Sequence, residues 1–174
     1  MKQLNNCLMC GEELLDRQDK NGEGYYCPNC DEYRYRNPKP VAGVLIAKGE
    51  KVLLIKRGNE PNKDTWSFPA GYVGFDESFR EAAFRELEEE TRIKANPNDG
   101  VVASTIHMEH KDRFILGAIF AIEEEKTEGG PMPSDDAEDA RFWSISELEE
   151  NKKMLESQQV LESASKAISI ISKD

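Results

Sequence analysis

The chain has 174 residues, enough for one domain of catalytic size plus a small appendage. A hydrophobic content of 38% supports a packed core and excludes a disordered polymer. Its formal net charge of -11 repels nucleic-acid backbone and anionic membranes at long range, but leaves a small anionic substrate accessible when cations stand between it and the protein.

In chain order the first feature is a set of four cysteines, Cys7-x2-Cys10 and Cys27-x2-Cys30, with 16 positions between the pairs. Gly11, Pro28, Asn29 and Asp31 supply turn residues, so each pair suits a tight knuckle and the four suit a closed tetrahedral thiolate site. The N-terminus MKQLNNCLMC has no signal-peptide core, and no stretch approaches ~20 apolar residues. A soluble, cytoplasmic protein is therefore expected, which argues against the two disulfides that four exported cysteines would form. Zn2+ is the expected metal, held structurally by Cys7, Cys10, Cys27 and Cys30. A segment of ~36 residues has too little core to fold alone, so metal binding would supply its folding energy. Residues 1–36 are read as a zinc ribbon and Asn37-Pro38-Lys39-Pro40 as a stiff connector.

Strands are expected at 41–47 (VAGVLIA) and 51–57 (KVLLIKR), joined by a tight turn at KGE. Residues 59–64 read as a polar loop, and TWSFPAGY as a strand end broken at Pro69. An acidic helix runs from about Ser78 to Arg92. Further strands are expected at 101–107 and 113–122, then an acidic Gly/Pro-containing loop over 123–137, mobile and solvent-facing. A short strand at 140–144 precedes a helix capped by Ser146 with Glu149 three residues later. Val160, Leu161, Ala164, Ala167, Ile168 and Ile171 fall at helical spacing, so 151–174 ends in a packing helix. The class is α/β (α+β), helices against a mixed sheet, without internal repeats.

The acidic helix lies in GYVGFDESFREAAFRELEEETRI (71–93). A solvated face accounts for most acidic runs, but Glu86, Glu89 and Glu90 stand at i, i+3 and i+4, three like charges on one face. That arrangement is destabilising unless neutralised, and Mg2+ and Mn2+ are hard cations that take such oxygen ligands. Arg85, four residues before Glu89, is spaced to orient it. Leu87 and Ala83, with Phe79 further round, would hold another side of the helix against the sheet.

The same stretch resembles the signature of the Nudix hydrolases, G-x5-E-x7-R-E-U-x-E-E-x-G-U with U a bulky aliphatic residue. Gly71, Glu77, Arg85-Glu86-Leu87, Glu89-Glu90 and Ile93 match, and Arg92 stands where the family has glycine. A left-handed backbone is expected there, inexpensive only for glycine, so the departure asks for local strain but removes no ligand. The hairpin before the box, TWSFPAG, and Glu138-x2-Arg141-Phe142-Trp143 followed by Ser146-Glu147-Leu148 extend the resemblance over 38–150. The cysteine segment and NPKP linker resemble those of NADH pyrophosphatases and plant-type FAD/ADP-ribose pyrophosphatases.

The resemblance implies a mixed sheet sandwiched between helices, with Glu86, Glu89 and Glu90 as ligands of Mg2+ or Mn2+, Glu77 beside them and Arg85 as the orienting group. The reaction implied is metal-dependent hydrolysis of a nucleoside diphosphate linked to another moiety. For the general base it leaves Glu90 or a carboxylate from a later loop, Glu109 first, then Asp112 and Glu138. His107 and His110, the two histidines, read as surface residues. NADH pyrophosphatases carry an SQPWxFPxS-like stretch after the box, and KANPNDGVVASTIHM (94–108) lacks it. Weight therefore moves to ADP-ribose and FAD, with NADH, nucleoside triphosphates and a non-catalytic nucleotide-binding regulatory module as alternatives. Phe68, Tyr72 and Phe114 are candidate stacking surfaces. The expected partner is a nucleotide-sugar or dinucleotide and not a membrane; the acidic charge argues against long RNA while an RNA cap stays among the alternatives, and a homodimer is compatible with the ribbon.

Overall fold

The structure is a computed structural model and describes residues 4–19, 22–110 and 113–173. Its contacts divide the chain into two compact units, Met1–Lys39 with Glu109–Phe114, and Pro40–Met108 with Ile115–Asp174. In the first, β1 (Leu15–Asp19), β2 (Gly22–Cys27) and β3 (Glu32–Arg34) form an antiparallel sheet with Leu15 opposite Tyr26 and Tyr26 opposite Tyr33. Its buried cluster is small: Cys7, Leu14 and Cys27, with Leu4, Tyr25 and Cys30 packed against it.

The second unit is organised by the apolar runs at its centre. β4 (Lys39–Lys48) and β5 (Lys51–Arg57) pair as a hairpin, with Ala47 opposite Val52. The NPKP connector is thus shorter than its sequence suggests, because Lys39 and Pro40 already belong to β4. After the short strands β6 (Trp66–Ser67) and β7 (Ala70–Tyr72) comes α1 (Phe79–Thr91). Next are β8 (Lys94–Ala95), β9 (Val101–His110), β10 (Arg113–Glu123), β11 (Thr127–Glu128) and β12 (Ala137–Ser144), then α2 (Ile145–Glu150) and α3 (Gln158–Ile171). The main mixed sheet runs β12-β5-β4-β10-β9, with β6 on β5 and β7 on β4.

Side chains alternate across a strand, so each apolar run serves two cores. Leu45, Val52, Leu54, Ile119 and Ala121 pack with Leu148 of α2 and with Val160, Ala164 and Ala167 of α3. Their neighbours Val44, Ile46, Leu53, Phe120 and Ile122 pack with Ala82, Ala83, Phe84 and Leu87 of α1. Phe84, not the half-exposed Phe79, is the aromatic anchor of α1. Among the described residues no helix is long and apolar enough to cross a membrane.

Two expectations are corrected. Ser144, not Ser146, caps α2: its hydroxyl accepts from the Glu147 N–H and the Glu147 carboxylate accepts from the Ser144 N–H, a complete capping box. Both Ser-x-x-Glu pairs fit the pattern, but only Ser144 stands where the extended strand ends. The segment 123–137 is largely exposed, as expected, but it is held by backbone hydrogen bonds and is not a free loop. β11 pairs with β8, and the Met132 N–H donates to Thr91 O at 2.9 Å, since the last-turn carbonyls of α1 need donors from elsewhere.

Candidate active site

Helix α1 carries the site, and its two ends set its position. Ser78 and Glu81 close a capping box at the start, and Arg92 ends the helix in a left-handed conformation at φ 61, donating its N–H to Glu88 O at 2.9 Å. Burial of Ala83 and Leu87 rotates Glu90, three residues past Leu87, onto the inner flank, where it is 4% exposed. Ala70 N–H donates to Glu90 Oε2 at 3.0 Å. Burial pushes this carboxyl up to about 8, the Ala70 N–H pulling the other way; neighbouring Glu86 and Asp136 add to the rise and Arg57 opposes it.

Glu86 lies under the glycine loop. A Cβ on Gly71 would stand 2.0 Å from Glu86 Oε1, so a side chain there would collide with the carboxylate. Burial raises the Glu86 pKa, against the pull of Arg85. Glu89 is half-exposed. Glu77 sits in the opposite electrostatic state: Arg85, then the Gly74 N–H at 2.8 Å, holds its carboxyl down at about 2.

Arg85 ties these groups together and uses all five of its donors in doing so. Its Nε donates to Glu77 Oε1 at 2.6 Å; Nη1 donates to Glu86 Oε1 at 2.7 Å and Glu89 Oε2 at 3.0 Å; Nη2 donates to Glu77 Oε2 at 3.0 Å and Tyr72 O at 3.1 Å. The structure thus brings Glu77, Arg85, Glu86, Glu89 and Glu90 into one cluster. Glu109 is exposed and belongs to the unit that contains the cysteines. Glu138 is exposed and paired with Lys56 and Lys63, each at 3.5 Å. Asp112 and the side chain of His110 lie outside the described residues, and His107 is exposed. Phe68 is buried in the core and offers no stacking face, whereas Tyr72 and Phe114 are exposed.

Sequence reasoning missed the segment that closes the end of the helix. Ser134 donates its N–H to Glu90 O at 3.0 Å and its hydroxyl to Glu89 O. Asp135 and Asp136 follow it; Asp135 acts electrostatically on Glu86 and Asp136 on Glu90. Asp136 O accepts from Gly58 N at 2.7 Å and its carboxylate from Asn59 Nδ2 at 2.5 Å, which joins this segment to the end of β5. Ser-Asp-Asp after Gly-Gly-Pro has no periodicity; its only signal is more acid in an already acidic chain.

Both donor sets fit cations. The helix cluster offers only oxygen ligands, with Glu90 buried and Glu86 and Glu77 partly buried, and one arginine against four carboxylates, which suits a hard divalent ion. The Sγ atoms of Cys7, Cys10, Cys27 and Cys30 lie within 4.8 Å of one another with no disulfide between them. A tetrahedron of Zn–S bonds has edges of about 3.8 Å, close to the 4.0 Å between Cys7 and Cys30 and the 3.5 Å between Cys10 and Cys27.

The NUDIX domain family model matches residues 37–163. An ADP-ribose pyrophosphatase of Methanocaldococcus jannaschii is 33% identical over 125 residues, 67% of this chain and 69% of that protein. An NAD-capped RNA hydrolase, NudC, of Stutzerimonas stutzeri is 30% identical over 142 residues, 82% of this chain but 49% of that protein. The crystal structure of a NUDIX hydrolase from Nitrosomonas europaea superposes with a TM-score of 0.71 at 21% identity, covering 92% of this chain and 88% of that one.

Proposed function

The chain belongs to the Nudix family of hydrolases, and from that premise we propose that it cleaves the diphosphate of a nucleoside diphosphate linked to a second moiety, ADP-ribose first and FAD next. The observation that carries this reading is the cluster of Glu77, Glu86 and Glu89 organised by Arg85, with the buried Glu90 in electrostatic contact with Glu86. Glu86, Glu89 and Glu90, with Glu77 beside them, would hold Mg2+ or Mn2+, which supplies Lewis acidity toward phosphoryl oxygens and lowers the pKa of a bound water. Arg85 holds Glu77, Glu86 and Glu89 in place, and the bare backbone of Gly71 leaves room for Glu86. Ala70 N–H donates to Oε2 of Glu90 and leaves Oε1 open, and burial raises the pKa of this carboxyl to about 8, which makes Glu90 the leading proton acceptor. The four cysteines would hold a structural Zn2+ in a ribbon over 1–36, ahead of a catalytic domain over 38–150 and the packing helix region 151–174.

The archaeal relative supports ADP-ribose. A second reading, cleavage of an NAD-type diphosphate, is favoured by the longer match to the NAD-capped RNA hydrolase, 142 residues of this chain. The test is kcat/KM for ADP-ribose, FAD, NADH and NAD-capped RNA under one Mg2+ or Mn2+ condition, with products resolved chromatographically. AMP and ribose 5-phosphate from ADP-ribose are expected. A preference for NADH or NAD-capped RNA above about tenfold, ~1.4 kcal/mol in transition-state discrimination, would move the assignment to the second reading.

A further inference from the structure

We infer that Ser134 is a positioning residue of the metal site: together with the Met132 amide it clamps the last turn of α1, from which Glu89 and Glu90 project. The inference rests on the diphosphate reading above, which takes those two residues as ligands. The last-turn carbonyls of a helix have no partners within it. Here the exit is also strained, because it turns on Arg92 at φ 61 and not on a glycine. The helix closes itself by one bond only, Arg92 N–H to Glu88 O at 2.9 Å. The following amide, Ile93 N–H, turns to Thr91 Oγ1 at 3.2 Å and adds no second closing bond. The carbonyls of Glu89, Glu90 and Thr91 are left to donors from elsewhere.

Pro131-Met132-Pro133-Ser134 supplies them. Proline has no N–H, so this segment owns two backbone donors and one hydroxyl. Met132 N–H donates to Thr91 O at 2.9 Å, Ser134 N–H to Glu90 O at 3.0 Å and the Ser134 hydroxyl to Glu89 O. Every donor of the segment is thus committed to three consecutive carbonyls of α1. The clamp is itself anchored: Ala137 N–H donates to Ser134 O at 3.1 Å, and Gly58 N–H to Asp136 O at 2.7 Å. The carboxylate ends of the same two glutamates are held by Arg85 on Glu89 and Ala70 N–H on Glu90, each at 3.0 Å. Ser134 fixes the backbone ends. A last turn that frayed would displace both ligands together, and affinity for a hard cation depends on the bonds that orient its ligands.

The structural alternative is a strap that covers the helix end and stabilises it without setting the ligands. The experiment titrates Mn2+ by calorimetry into the full-length wild type, Ser134→Ala, Ser134→Thr, Arg92→Gly and the double variant Arg92→Gly/Ser134→Ala. Thermal melting and amide exchange are measured on each. Ser134→Ala should weaken Mn2+ binding about tenfold and speed exchange at the end of α1 while β4 and β5 stay protected. Ser134→Thr keeps the hydroxyl and should bind within about threefold of wild type. In the Arg92→Gly background the loss on Ser134→Ala should shrink to less than about threefold, because an unstrained exit holds without the clamp. The inference is overturned if wild type does not bind Mn2+, if Ser134→Ala lowers the melting temperature alone, if Ser134→Thr loses as much as Ser134→Ala, or if the loss is undiminished in the Arg92→Gly background. If Mn2+ binding depends on Ser134 but ADP-ribose, FAD, NADH and NAD-capped RNA are all left intact, the hydrolase reading fails and the clamp stands. If hydrolysis proceeds while Ser134→Ala binds Mn2+ normally, the reverse holds.

Discussion

Two carboxylates a helix turn or more apart on α1 and its approach, Glu90 and Glu77, are held in opposite charge states, and pH separates them. Without added divalent cation, native Glu90 retains a proton up to about 8 that the unfolded chain gives up near the ordinary value of 4.5. Its contribution to stability is therefore fully present below the ordinary value and is lost as pH rises through the folded one. Glu77, held down at about 2, contributes above the ordinary range and loses that contribution as pH falls through its folded value. Urea unfolding from about pH 5 to about pH 9 should show wild type losing stability toward the alkaline end and Glu90→Gln losing much less. Above pH 8 the variant should be the more stable by on the order of 1–3 kcal/mol, because no buried charge forms. A divalent ion favours the ionised carboxylate and releases its proton, so Mn2+ affinity of wild type should rise with pH until about 8. A flat Mn2+ profile would remove Glu90 from the ligand set. Arg92 poses a separate residue-scale question, since its left-handed φ of 61 strains a residue with a Cβ. Arg92→Gly should raise stability by about 0.5–1 kcal/mol, the relieved strain less the added freedom of the unfolded chain, and leave kcat/KM unchanged. A fall in kcat/KM would assign the Arg92 side chain a role at the site.

At the scale of elements, what the sequence revealed and what it hid follow from where each element gets its hydrogen bonds. Helix α1 was legible because Ser78 and Glu81 announce its start and Ala83, Leu87 and the box residues its faces. The strands at 41–57 were legible as apolar runs, although Val44, Leu45 and Ile46 read as one stripe while serving two cores. The segment around Ser134 was not legible, because it is ordered by backbone carbonyls of Glu89, Glu90 and Thr91, acceptors that any sequence presents at a helix end. The α2 cap was misplaced because two Ser-x-x-Glu pairs overlap by two residues, and propensity cannot choose between them. Ser144→Ala should therefore cost about 1 kcal/mol, the usual loss of an N-cap, and Ser146→Ala less than about 0.5 kcal/mol. Equal losses in chemical denaturation would mean that the cap is shared through the 3.0 Å contact between the two hydroxyls.

At the scale of the whole molecule, the two units differ in what can hold them together. The second has two apolar clusters filled from seven sheet strands and three helices. The first has Leu14 as its one buried aliphatic residue among the described residues, alongside Cys7 and Cys27. Arg34 pulls the Cys7 thiol down to about 6, and the Cys30 N–H donates to Cys27 Sγ at 3.4 Å. So little apolar surface does not stabilise a unit of this size, whereas a structural Zn2+ contributes about 10–16 kcal/mol in peptides of similar length. Protein purified without added metal should carry about one zinc per chain, the stoichiometry of four thiolate ligands. Removing it with a strong chelator, or replacing Cys27 by Ser, should abolish amide-exchange protection in β1, β2 and β3 while β4 and β5 retain theirs, because the latter depend on apolar burial that no metal supplies. Hydrogen-exchange mass spectrometry reads both strand sets in one experiment. Protection of β1–β3 that survives chelation, or a preparation without zinc that shows the same protection, would mean that the tyrosines and Leu14 hold the sheet unaided and that the thiols are spare.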